Sequence, residues 1–424
     1  MTAEIAISNK YCVALAADSA VTITSRNDTR IKKIYNGAEK LFALSKHHPV
    51  GIMIFGDGSL SSAPWELIIK AYRKHLGGAS FATLQEYATD FFSFLEKKHR
   101  IITPDMREKS CEEFLRNSVL SDSLDSFLIL QKYNDFSSVE PDEYYQDFEK
   151  YCTDRLYTYQ SADFLDNFDH NDVNEARDFC NRYTPVICEE ILLKGGKPIP
   201  ETLIDVVNEI FATALCKKND IATTSGLVIA GYGNDEYYPI ILSYSVWGLF
   251  KDKLRKCINS DKCSRPREPA VIPFAQDDEV YAFMHGVSPG LLQRLTNFHF
   301  DALISTLSKL DHLFDDASLA KKITDEVFSL LPSIRNSVDS HIKTHYTDKI
   351  IDMVAFLPKQ DIAYMAESLV NLTVFKRKIS DDSETVGGPI DVAIISKSEG
   401  FVWVKRKHYF NKDLNHHFFN RSND

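Results

Sequence analysis

Apolar and polar positions change rhythm several times along this chain, and the first sixty residues follow the two-residue period of strands. "AEIAIS" alternates, "YCVALAADS" is a short apolar run ending in a turn, and "VGIMIFGDGS" is another run closed by Gly and Asp. Between them the polar stretch "TSRNDTRIKKIYNGAEK" reads as a loop or hairpin. The period then lengthens to that of helices. "SAPWELIIKAYRKHL" predicts one, with Ser61 or Ser62 as N-cap and Pro64 near the first turn. "FATLQEYATDFFSFLEKKHR" predicts a second, with aromatics at helical spacing and basic residues gathered at its C-terminal end.

Residues 101–198 change character: they are rich in Asp, Glu, Tyr and Phe and read as irregular helices with long polar connections. After the punctuating "GGKPIP", the helix "ETLIDVVNEIFATALCKK" leads to two strands, "SGLVIAGYG" and "YYPIILSYSV". Lys251 to Pro269 reads as a loop, followed by the turn "HGVSPG" and helical segments to about residue 345. A last helix, "KQDIAYMAESLVNLTVFKRK", a Gly turn and the strands "PIDVAIIS" and "FVWVKRKHYF" finish the pattern. Strands, helices, strands, helices and strands again predict a layered α+β protein, not the regular alternation of a doubly wound fold. There is no internal repeat.

Composition narrows the function without choosing it. Hydrophobic residues make up 44% of the 424 positions, ample for a large core with insertions or for two domains. The formal net charge of −11 opposes broad nucleic-acid binding, which depends on clustered Lys and Arg. The basic, aromatic "VKRKHYF" strand does not alter that reading. Eight scattered cysteines with no CxxC pair point to buried thiols, neither a disulfide framework nor a zinc site. No apolar run approaches the roughly 20 residues needed to span a bilayer, and the N-terminus lacks a signal-peptide pattern. The expectation is a cytoplasmic protein without membrane contact.

Several motifs carry no chemistry. "GYGND" lacks the third Gly and following helix of a dinucleotide site. His47-His48 and His416-His417 are adjacent pairs, and neighbouring residues rarely share a metal. No metal or organic cofactor is expected. "EPDEYYQDFEKYC" reads as a helix with a solvated face and a packed side.

The N-terminus does carry chemistry. Methionine aminopeptidase removes Met1 when the next side chain is small, and Thr2 qualifies. The freed α-amine, with a reference pKa of about 7.7–8.0, could take the proton of its own hydroxyl. "TAEIAISNKYCVALAADSAVT" resembles the opening of proteasome β subunits and bacterial proteasome-like peptidases, which are N-terminal-nucleophile hydrolases. There a strand beginning with the nucleophilic Thr turns and returns as a strand ending in Asp; Asp18 lies sixteen residues after Thr2, the family's separation. "KLF" at Lys40 is similar to the segment carrying the catalytic lysine. Lys33 in "IKKIY" is the competitor, nearer the usual distance from the nucleophile. Such a lysine would lower the pKa of the amine and hydroxyl, and Asp18 would hold its ammonium in position. Gly56 matches the turn whose backbone N–H forms the oxyanion hole.

The far end of the chain, "KQDIAYMAESLVNLTVFKRKISDDSETVGGPIDVAIISKSEGFVWV", resembles the family's late helix, Gly-Gly turn and closing strands. The family's hydroxyl-Gly-Gly here reads Val386-Gly387-Gly388. The hydroxyl moves to Thr385, and Ser383 stands where an Asp is expected; Glu384 or Asp382 could substitute. "MHGVSPG" is similar to the loop presenting a supporting serine, here Ser288.

The resemblance implies a four-layer αββα sandwich with helical insertions, acting on a peptide or amide substrate through an acyl-enzyme on Thr2. With only Met1 before Thr2, it implies no propeptide cleavage. The chain divides into core (2–100), helical insertion (101–198), core with a loop at about 251–269 (199–295), helical insertion (296–345), closing helix and strands (346–410) and tail (411–424). The insertions could bind a protein partner or a second copy. The alternative is a catalytically silent relative serving as an assembly or interaction module.

Overall fold

The computed structural model describes residues 2–25, 28–97, 100–130, 140–193, 196–219, 224–310, 317–380 and 386–415. The strand-like opening folds as β1 (Ala3–Ser8) and β2 (Val13–Ala17), a hairpin of β3 (Val21–Ser25) and β4 (Asp28–Tyr35), then β5 (Leu41–Ala43) and β6 (Val50–Gly56). Two-residue strands β7 (Ser59–Leu60) and β8 (Ala63–Pro64) lead into α1 (Trp65–Leu76) and α2 (Leu84–Lys97). α1 buries Trp65, Ile68, Ile69, Tyr72 and Leu76, the i, i+3, i+4 stripe of an amphipathic helix. Its N-cap corrects the sequence reading. Pro64 occupies that position with no side-chain cap, and Ser61 and Ser62 lie in the turn before it at positive φ.

The polar, aromatic region forms α3 (Pro104–Glu113), a π-helical stretch (Phe114–Ser121), α4 (Asp122–Leu130), α5 (Pro141–Ser161), α6 (His170–Cys180) and α7 (Thr184–Leu192). α8 (Glu201–Cys216) follows, then β9 (Ser225–Gly231) and β10 (Ile240–Phe250). The expected loop at 251–269 is in part a strand, β11 (Lys253–Ile258), which pairs antiparallel with β10. Its basic residues obscured a strand in which Leu254, Arg255 and Cys257 are buried. A further strand, β12 (Ala270–Ala275), precedes α9 (Asp278–His285), α10 (Pro289–Leu310), α11 (Ala317–Ile342) and α12 (Asp348–Val354). The long α13 (Lys359–Ile379), β13 (Asp391–Ser396) and β14 (Gly400–Lys405) close the chain as their pattern predicted.

The strands make two antiparallel five-stranded sheets, ordered β12-β1-β2-β13-β14 and β11-β10-β9-β6-β5. Every residue of β1, β2, β9 and β13 is buried, so these central strands read as near-continuous apolar runs. Alternate side chains feed different cores. Ala6, Leu15, Ala393 and Ile395 of the first sheet pack with Met53, Val228, Ala230 and Ile241 of the second. Ile5, Ala16, Val392 and Ile394 face Ile362, Ala366 and Leu369 of α13. Ile52, Ile54 and Leu227 face Trp65, Ile69 and Phe91 of α1 and α2.

Helices α3 to α7 share a core built on Phe127, Tyr144, Phe148, Cys180 and Cys188 and completed by Leu203, Val207 and Phe211 of α8 with Phe250 and Cys257 of β10 and β11. Arg255 ties α8 to the second sheet. Only 1% exposed, it donates from Nε to Leu215 O at 2.8 Å and from Nη2 to Ala214 O at 3.0 Å. Those carbonyls belong to the last turn of α8, which has no intrahelical donors left for them. The guanidinium lies 4.2 Å from the centre of the Phe114 ring. All eight cysteines are free, and burial pushes the Cys111 thiol up to about 11 and Cys152, Cys188 and Cys216 to about 12. Among the described residues no helix is long and apolar enough to cross a membrane.

Candidate active site

Along β1 the residues that face the second sheet include Ala6, and the two-residue period places Thr2 and Glu4 on that same face. Backbone pairing fixes Thr2 from both sides. Its carbonyl accepts the N–H of Gln276 at 3.2 Å, just past β12, while the Ala3 N–H donates to Asp18 Oδ1 at 3.1 Å. The Thr2 side chain is 6% exposed, and its Oγ1 donates to Glu4 Oε2 at 2.9 Å.

Asp18 stands one residue past β2, where its N–H donates to Ala3 O at 3.1 Å. Its second oxygen accepts the N–H of Gly387 at 2.8 Å, in the Gly-Gly turn before β13. The Gly387 carbonyl accepts the N–H of Ser19 at 3.2 Å, which locks that turn against the end of β2. Lys40 immediately precedes β5, and its carbonyl accepts the N–H of Ile54 at 2.8 Å, so pairing with β6 sets its position. From there Lys40 Nζ reaches Asp18 Oδ1 at 2.5 Å and Glu4 Oε1 at 3.3 Å. Glu4 and Asp18 side chains have no exposure and Lys40 has 5%, so the ammonium is held between two buried carboxylates.

Burial is the main force on Glu4 and pushes its carboxyl up to about 7; the charge of Lys40 pulls it down, Asp18 pushes it up, and the hydrogen bond from Thr2 lowers it. Glu4 Oε1 makes no hydrogen bond among the described residues, its tie to Lys40 being an ion pair without hydrogen-bond alignment.

Thr2 and Lys40 open onto a cavity of about 280 Å³ whose wall includes Ile54, Phe55, Gly56 and Asp57. Gly56 has φ +77°, and a Cβ there would lie 2.1 Å from Thr224 O, so this turn requires glycine. A more apolar hollow of about 420 Å³, lined by residues including His285, Leu292, Leu295 and Val338, shares none of these residues. It gathers none of the sequence-predicted site residues.

The structure thus brings Thr2, Asp18, Lys40 and Gly56 together. Lys33 lies in β4 with its backbone opposite Ile23, and its side chain is outside the described residues. Ser288 is elsewhere: its Oγ accepts the N–H of Leu291 at 3.2 Å, and it borders a separate hollow with Asp278, Glu279 and Lys376. That corrects the expectation of a serine beside the nucleophile; the turn at 286–289 caps α10 instead. Ser383, Thr385, Asp382 and Glu384 lie outside the described residues. Glu4 was missed. Its signal was available, as the single charge in an otherwise apolar strand, two positions from Thr2 and therefore on its face. Among the described residues no three His, Cys, Asp or Glu converge to hold a metal ion.

No protein-family model matches this chain, and neither does any curated protein.

Proposed function

We propose that this protein is a peptide or amide hydrolase of the N-terminal-nucleophile kind, with Thr2 as nucleophile in a four-layer αββα sandwich. The observation that carries the reading is the buried cluster in which Lys40 Nζ sits between Asp18 and Glu4, on the wall of a cavity that Thr2 also lines. Removal of Met1 would free the α-amine beside the Thr2 hydroxyl. That amine, with a reference pKa of about 7.7–8.0, is suited to accept the hydroxyl proton near neutral pH. Oγ1 then attacks the substrate carbonyl, and the backbone N–H of Gly56 would donate to the developing oxyanion. The resulting ester on Thr2 is resolved by water. The packing of the two sheets on each other, with α13 against one and α1 and α2 against the other, supports that layering.

A peptide epoxyketone, which condenses with the hydroxyl and the amine of an N-terminal threonine, tests this directly. The processed protein should gain one adduct at Thr2 by intact mass, and Thr2→Ala should fold with an unchanged melting temperature and gain none. An adduct retained in Thr2→Ala, or none on the processed wild type, would overturn the reading.

A further inference from the structure

The described contacts of Thr2 raise a question about its proton. The Thr2 hydroxyl donates to a carboxylate, Glu4 Oε2 at 2.9 Å, within a site where both residues are buried. We propose that Glu4 is the catalytic proton acceptor for Thr2 Oγ1, so that acyl transfer by Thr2 does not require a free α-amine. The proposal rests on Thr2 being the nucleophile and goes beyond that reading by giving the role of base to Glu4 in place of the α-amine.

Three features support it. Thr2 and Glu4 are two positions apart on one strand, so the pleat of β1 holds donor and acceptor together without any loop. Glu4 is 2% exposed, so solvent does not compete for the carboxylate. Lys40 Nζ, 3.3 Å from Oε1, anchors the other oxygen and leaves Oε2 for Thr2. The charged groups facing Glu4 are Lys40, at the entry to β5, and Asp18, at the end of β2. Its register partners in the sheet, Phe274 of β12 and Ala17 of β2, are uncharged. Burial lifts the Glu4 carboxyl to about 7, which suits proton exchange at neutral pH.

The proton count closes. As Oγ1 bonds to the substrate carbonyl carbon, its proton passes to Glu4 Oε2 and the carbonyl π electrons move onto oxygen. When the carbonyl re-forms, the C–N bond breaks and Glu4 gives that proton to the departing amine. Water then adds to the Thr2 ester and yields a proton to Glu4. Collapse breaks the ester C–O bond, Oγ1 takes the proton back, and the carboxylic acid leaves.

A β-lactone probe, which acylates a hydroxyl by ring opening and needs no amine, provides the test. Acylation of Thr2 in the full-length protein is followed by intact mass across pH. The wild-type rate should rise with pH through about 7. Glu4→Gln should react at least about 100-fold more slowly, without that inflection. Protein made with methionine removal blocked, so that Met1 remains, should react within about tenfold of the processed form, less than one 1.4 kcal/mol step in barrier. Wild-type rates and pH profile in Glu4→Gln, or an inert Met1-bearing protein, would overturn the role of Glu4 and leave Thr2 as nucleophile. No acylation of Thr2 in the wild type would remove both. Should Glu4→Gln fail to fold, the Met1-bearing form and the wild-type pH profile decide the matter.

Discussion

Asp18 Oδ2 accepts the backbone N–H of Gly387 at 2.8 Å, across 369 residues of sequence. The other oxygen of the same carboxylate takes the Ala3 N–H and the Lys40 ammonium. One side chain therefore joins the strand carrying Thr2, the lysine, and the turn before β13. It serves as a structural keystone whatever it contributes to chemistry.

Asp18→Ala should be costly. It leaves Lys40 facing Glu4 alone and orphans two backbone N–H groups, and breaking a buried pair from one side typically costs about 3–5 kcal/mol. Urea denaturation should show a midpoint lowered accordingly. A loss below about 1 kcal/mol would mean that water has replaced the carboxylate.

Glu4 makes stability depend on pH in an unusual direction. Its carboxyl is raised from the ordinary 4.5 to about 7 in the folded protein, so the native state binds the proton more tightly than the unfolded chain between those values. The contribution is fully present below about 4.5 and is lost as pH rises through about 7. Measured as the difference in unfolding free energy, wild type should lose ground to Glu4→Gln between about pH 5 and about pH 8. A constant difference would contradict the raised carboxyl.

Gly56→Ala should destabilise through backbone geometry alone. Its φ of +77° and the 2.1 Å approach to Thr224 O leave no room for a methyl group. The expected loss is about 1–3 kcal/mol, read as a lower urea midpoint at unchanged slope.

Arg255→Met tests the tie between α8 and the second sheet. It removes the donors to Leu215 O and Ala214 O. Ala214 O keeps the Nδ2 donor of Asn219 at 2.8 Å, so Leu215 O is the carbonyl orphaned, at a cost of about 1–3 kcal/mol, offset in part because the cation no longer has to be desolvated. Amide exchange should quicken in the second half of α8 while β1 and β2 stay protected. Unchanged exchange there would show that packing alone holds α8.

Much of this fold was legible because its central strands are apolar on both faces and its main helices carry clean buried stripes. β11 was not, because Lys253, Arg255 and Lys256 resemble a solvated loop. Only the structure shows that Arg255 turns inward to find helix carbonyls. β12 was missed because Pro273 interrupts a short run; as an edge strand it tolerates proline at a position facing away from β1. In the site, the Thr2–Asp18 spacing and the "KLF" segment identified residues that do converge. Ser288 did not, since a Gly-Val-Ser-Pro turn fits a helix cap as well as a loop beside a nucleophile. Glu4 was missed because an acid in an alternating strand reads as a solvent-facing position, and only the second sheet packed over that face shows it to be buried.

The pairing of β2 with β13 has a consequence for biosynthesis. Translation proceeds from the N-terminus, so β1 and β2 emerge long before β13, the neighbour that covers Val13 to Ala17. Until then β2 presents an open, alanine-rich flank, and Asp18 lacks its contact with Gly387. A prematurely released chain would carry an exposed strand edge prone to misassociation, with its threonine cluster unfinished. Only once the Gly387 turn and β13 have been made can the centre that Thr2 begins be closed.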